Sequence, residues 1–194
     1  MYEIPTFVLI DNIKYGIRND GDYRMVLDCF KALQDVNLTE RERVFASLII
    51  FYQDLNTIDD VLLLNNITDR ISGMYTFFNC GEEDTVGAKV PYRLIDWEQD
   101  SQLICSAVNK VATAEIRSLP YLHWWTFMGY FTSIGKSLLS SVIAIREKII
   151  KGKKLEKYER DFRRDNPKYF VWNHKSIEEL EAEKAIMDLW NNGG

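Results

Sequence analysis

Asp96, Glu98 and Asp100 crowd three carboxylates into five residues, a pattern that a general acid–base pair or a divalent-cation site would use. The same residues have a plainer role. Asp96 stands three residues before Gln99, so it can accept from the backbone N–H groups that open a helix. Glu98 would then lie in a first turn, where the helix dipole favours negative charge. A di-metal helix bundle would also need Glu-x-x-His pairs, which the sequence lacks. Its two histidines, His123 and His174, stand at ligand spacing from neither each other nor a cysteine. Cys29, Cys80 and Cys105 form neither a disulfide framework nor paired zinc spacing, which fits a reducing compartment. No Gly-x-Ser-x-Gly elbow or dinucleotide fingerprint occurs, and Gly135-Lys136-Ser137 lacks the earlier glycine of a phosphate loop. Spacing assembles no nucleophile, base and orienting group, so the expectation is a protein that is not an enzyme and takes no cofactor or metal.

Two other runs suit binding. Residues 121–131 hold six aromatics, which on one helix would point nearly all round. That suits a central core helix, while Tyr121, Trp124 and Trp125 are candidate partner contacts because Tyr and Trp are over-represented in binding hot spots. His123 reads as a hydrogen-bonded spectator among them. From Arg146 to Arg164, nine Lys or Arg accompany four Asp or Glu, a local net of +5 in a chain of net -5. The interleaved acids read first as helix-face pairs on a solvated helix. As a docking face, Lys148, Lys151, Lys153, Lys154, Lys157, Arg160, Arg163 and Arg164 would meet an acidic protein surface ahead of nucleic-acid phosphates.

The elements that must carry these residues read as mostly α, a helical bundle-like fold with a small N-terminal β-hairpin. Asp11 and Asn12, which tolerate the left-handed conformation, sit between FVLI and IKYGI, so a hairpin turns there. Met25, Val26, Cys29, Phe30 and Leu33 share one helix face, predicting a helix from Tyr23 to about Val36. Thr39 with Glu42 is a capping box for a helix through Gln53. Thr57 with Asp60 starts one or two further helices through Phe78, with Gly73 as the expected interruption. Asp96 caps a helix over 96–114, Pro120 starts the next, Gly135 breaks it, and Gly152 ends a third in a left-handed cap. A charged helix then stops at Asn166-Pro167, and Ser176 with Glu179 caps a last amphipathic one. The Gly- and Pro-containing stretch 79–91 is the natural boundary. It divides the chain into a hairpin plus helical unit over 1–80, a helical unit over 92–170 and a C-terminal helix over 175–190.

The start of the chain lacks the basic n-region of a secretory signal. Residues 118–135 carry no charge, but their Pro, His, Ser and Thr make a buried helix a better reading than a membrane span. With a pI of about 5.2, general attraction to nucleic acid or anionic lipid is not expected.

Three blocks, YRLIDWEQDSQLICSAVNKV, LPYLHWWTFMGYF and SVIAIREKIIKGKKLEKYERDFRRDN, follow one another between residues 92 and 166. In order and spacing they resemble the phage gene-product-fifteen family of long-tailed phages and prophages of Gram-positive bacteria. Asp22-Tyr23-Arg24 is similar to an Asp-Phe-Arg element of that family. The resemblance implies a tail-morphogenesis role, because such genes lie between those for the major tail protein and the tape measure. It implies a tail assembly chaperone that coats the tape-measure protein, contacts the tail-tube protein, works in the bacterial cytoplasm and is absent from the mature virion. Self-association is compatible with that role. It carries over no catalytic residue. The alternatives are a structural virion protein of the tail-completion kind and, behind it, a nucleic-acid-binding factor.

Overall fold

The structure is a computed structural model that describes residues 3–82 and 93–173, and Ala182. Strands β1 (Phe7–Ile10) and β2 (Ile13–Gly16) pair antiparallel, with Val8 opposite Tyr15 and Ile10 opposite Ile13. Asp11 and Asn12 both take positive φ, 49° and 63°, as a two-residue hairpin turn requires. A second left-handed run, Asn19, Asp20 and Gly21, swings the chain into α1 (Tyr23–Leu33). Gly21 is required there twice over, since its φ is +79° and a Cβ would stand 2.7 Å from the Phe77 ring.

Asp22 caps α1, its carboxylate accepting from the Arg24 N–H. This helix ends before Val36 because Asp35 turns back to accept from the N–H of Asn37. Helix α2 (Glu40–Phe51) opens on the expected capping box of Thr39 and Glu42. It stops at Phe51, two residues short of Gln53, because Tyr52 pairs with Ile17 and the Gln53 N–H donates to Gly16 O. Arg18 satisfies the freed carbonyls at that end, donating to Ile49, Tyr52 and Leu55.

The Thr57 and Asp60 box opens a short α3 (Ile58–Leu62), and α4 (Ile67–Phe78) follows. The break falls at residues 63–66, not at Gly73, which lies inside α4. A Cβ on Gly73 would stand 2.4 Å from Val8 Cγ1, so this glycine lets the hairpin close onto the helix.

Helix α5 (Ser101–Ala112) begins a turn later than Asp96. Asp96 does accept from Glu98 and Gln99 N–H groups, but those bonds close a separate turn ahead of the helix. Helix α6 (Trp124–Thr132) likewise starts four residues beyond Pro120. Residues around Leu122 are held extended, Tyr23 N–H donating to Leu122 O and Leu122 N–H donating to Asp22. Helix α7 (Leu138–Ile150) follows a loop containing Gly135 and ends at Gly152 with φ +63°, where Lys153 N–H returns to Lys148 O. Helix α8 (Lys157–Asp165) stops at Asn166, and Pro167 opens a single 3₁₀ turn. The last helix expected from Ser176 and Glu179, and the stretch 83–92, lie outside the described residues.

Eight α-helices and one hairpin among the described residues make the fold mostly helical. Ile17, Val26, Leu48, Phe51 and Met74 share one buried cluster with Val108, Trp124, Phe127 and Leu139, so the segments on either side of residues 83–92 pack on a common core. No described helix is long and apolar enough to cross a membrane.

Candidate docking surface

The basic run divides once it is placed on α7 and α8. Arg146 is 4% exposed and turned inward, its guanidinium gripping Asp100 through bonds of 2.6 and 2.9 Å. It also donates to Leu94 O and Tyr169 O and stacks on the Trp172 ring. Asp100 is equally buried and accepts in addition from Asp96 N–H. The pair therefore ties the start of α5 to α7 and to the segment after α8. The Asp96, Glu98 and Asp100 cluster resolves the same way. Asp96 closes a turn and pairs with Arg93, Glu98 meets Lys31 at the surface, and Asp100 holds Arg146.

The remaining cations face outward. Lys148 bridges α7 to α8 by donating to Glu159 at 2.6 Å. This contact raises the lysine's pKa and holds the Glu159 carboxyl below its usual range. Lys151 pairs with Glu147 one turn back, and Arg164 pairs with Asp161 and Asp165. Among the described residues, no carboxylate lies within ion-pair distance of Lys153, Lys154, Lys157, Arg160 or Arg163, all exposed. Lys157, Arg160 and Arg164 recur at three- and four-residue steps, so they share one face of α8. Two apolar residues in the same stretch are also exposed: Tyr158, at 69%, on α8 and Ile150 at the end of α7. The sequence reading missed Tyr158, although one aromatic inside a run of charges is the available signal.

The aromatic candidates separate more sharply. Trp124 is 1% exposed, its indole donating to Phe78 O and its ring packed on Phe30, Trp97 and Phe127. It belongs to the core and offers nothing to a partner. Trp125 is half-buried and donates to Phe77 O, leaving part of its ring at the surface beside Gly81. Tyr121 is exposed, its hydroxyl donating to Asp20 O. Neither Tyr121 nor Trp125 lies on the α7 and α8 elements that carry the cations.

His123 is more than a spectator. It is buried, with Nδ1 accepting from Trp125 N–H as the N-cap of α6 and Nε2 3.0 Å from Pro5 O. Those partners require the neutral ring with its proton on Nε2, and burial holds its pKa below the ordinary value. The imidazole thereby fastens the start of the hairpin to the start of α6. Burial also pushes the Cys29 thiol up, out of reach of ionisation. Among the described residues no group of His, Cys, Asp and Glu could hold a metal ion.

The family described as Bacteriophage Gp15 protein matches residues 3–170, from the start of the hairpin to the turn after α8, and the chain belongs to that family. The match extends across the N-terminal half as well as the three blocks between residues 92 and 166. No curated protein and no solved structure matches the chain.

Proposed function

We propose that this member of a phage family is a tail morphogenesis factor, an assembly chaperone that binds the tape-measure protein and contacts the tail-tube protein in the host cytoplasm. The observation that carries the proposal is the set of exposed cations Lys153, Lys154, Lys157, Arg160 and Arg163 between the end of α7 and the end of α8, a stretch in which Tyr158 and Ile150 are exposed as well. Exposed cations interspersed with exposed apolar residues suit an acidic, amphipathic helical partner. Charge would steer the encounter, and the apolar centre would supply affinity. Exposed ion pairs are individually weak and screened by salt, which suits a partner that must be released when tube subunits polymerise around it. On this reading the chain performs no catalysis, and Arg146 maintains the fold rather than touching the partner.

Co-expression with the tape-measure protein of the same phage, followed by affinity purification, tests the reading. The tape-measure protein is expected to copurify and to gain solubility; if it does neither, the chaperone reading fails. Mass spectrometry of purified particles distinguishes the alternative of a virion component. A chaperone is nearly absent from them, whereas a tail-completion protein is present at fixed stoichiometry.

A further inference from the structure

We propose that the groove between the outer edge of β1 and helix α4 binds an extended segment of a partner protein as a third strand, one with alternating apolar residues and a Lys or Arg at one end. In a two-residue hairpin closed at Ile10 and Ile13, the N–H and C=O groups of Val8 and Ile10 point into the ladder, so those of Phe7 and Leu9 point away from it. Ile17 N–H donating to Thr6 O continues the same alternation. The outer edge of β2 is engaged at its far end, where Gln53 N–H donates to Gly16 O and Tyr52 bridges to Ile17. Among the described residues the outer edge of β1 is open, with no hydrogen bond reaching the outward groups of Phe7 and Leu9. An unpaired edge of this kind is a template for strand addition.

The edge is also held ready. Pro5 is fixed by His123, Val8 is seated over Gly73, and the turn is set by Asp11 and Asn12, so little ordering is left for binding to cost. Beside it lies a groove of about 510 Å³ lined by Asp69, Ser72 and Thr76 of α4 and by Trp125. Leu9 is 57% exposed and Phe7 is exposed at the rim, giving apolar surface to alternate residues of an added strand. Asp11 and Asp69 line the same groove, and among the described residues neither has an ion-pair partner. Lys14 lies over the Phe7 ring. Two uncompensated carboxylates select a basic residue on the incoming strand. This site is separate from the α7 and α8 face and does not depend on what that face binds.

The probe is a short peptide of alternating Val and Thr with a terminal Lys, titrated into the ¹⁵N-labelled full chain. The Phe7 and Leu9 amides are expected to shift. Replacing the Lys by Gln, or using the D11N/D69N protein, is expected to weaken binding about fivefold, the value of one contact charge pair in water. A central Pro in the peptide is expected to abolish binding, because it removes a ladder donor. So is Ser72→Arg, which fills the groove from an exposed position on α4 and leaves the hairpin intact. The inference is overturned if no amide shifts at peptide concentrations up to about 1 mM, or if the shifts map away from β1 and α4. It is overturned equally if the Phe7 and Leu9 amides move with protein concentration alone, which would make a second copy the occupant.

Discussion

Replacing Arg146 by Met removes the cation from a pair whose members are 4% and 1% exposed, and leaves Asp100 charged in the interior. Breaking a buried pair by deleting one partner costs about 3 to 5 kcal/mol, because the remaining charge has neither water nor partner. The loss should sit toward the upper end, since Arg146 also donates to Leu94 O and Tyr169 O. For a chain of 150 to 250 residues each kcal/mol lowers the melting temperature by about 2 to 4 °C, so R146M should fall by about 6 to 20 °C. The double variant R146M/D100N should recover a large part of that loss, because a neutral replacement of a whole buried pair is often near neutral. Lys151→Met, a few residues along and exposed, should stay within about 0.5 kcal/mol of wild type. Urea unfolding of R146M, D100N, the double variant and Lys151→Met measures the free energies, and a thermal melt of R146M measures the shift in melting temperature. If R146M costs under about 1 kcal/mol, or the two single changes simply add in the double, the interior placement of Arg146 is refuted.

Gly73→Ala should destabilise by about 1 to 3 kcal/mol through overpacking against Val8, and V8A should suppress the effect, which urea midpoints of the single and double variants would show. Trp124→Ala should cost about 3 to 5 kcal/mol as a core truncation. Tyr121→Phe should cost only about 0.5 to 1.5 kcal/mol, the net worth of one hydrogen bond, and thermal melts separate the two. The folded pKa of His123 is depressed, so its stabilisation is present above the ordinary value of about 6.5 and is lost as pH falls through the folded value. His123→Gln should remove that slope from stability measured between pH 7.5 and 5. A second loss, in the range below about pH 4, should remain in the variant, because Asp54, Asp96 and Glu159 are all held below their usual carboxylate values.

Much of the helical fold was legible in the sequence because its signals close within a few residues. The Asp11-Asn12 turn, the boxes at Thr39 and Glu42 and at Thr57 and Asp60, and the left-handed Gly152 each satisfy or redirect nearby backbone groups. The errors arose where a distant residue decided the outcome. Asp96 and Gln99 form the bonds their spacing implies, but they close a turn, and Asp100 at the true start of α5 is occupied by Arg146, 46 residues away. Pro120 opens no helix because Asp22 and Tyr23 capture Leu122 in an extended conformation. Gly73 looked like a helix breaker because its reason for being glycine, Val8, sits in another element. Within the candidate surface, composition located the cations but could not distinguish the buried Arg146 from the exposed Lys153 and Lys154. That distinction depends on which side of α7 faces α5, where Arg146 lies, and on α7 ending before Lys153 and Lys154.

The phage-tail reading rests on the exposed cations of α8 and of the turn between α7 and α8 meeting a partner, so the most direct measurement is the affinity of the purified full chain for the purified tape-measure protein of the same phage, with and without K153E/K154E/R160E. The variant is expected to fold with an unchanged melting temperature and to bind about tenfold or more weakly, the gap narrowing as salt rises. Equal affinity of the two proteins, or no binding by the wild type, would contradict it.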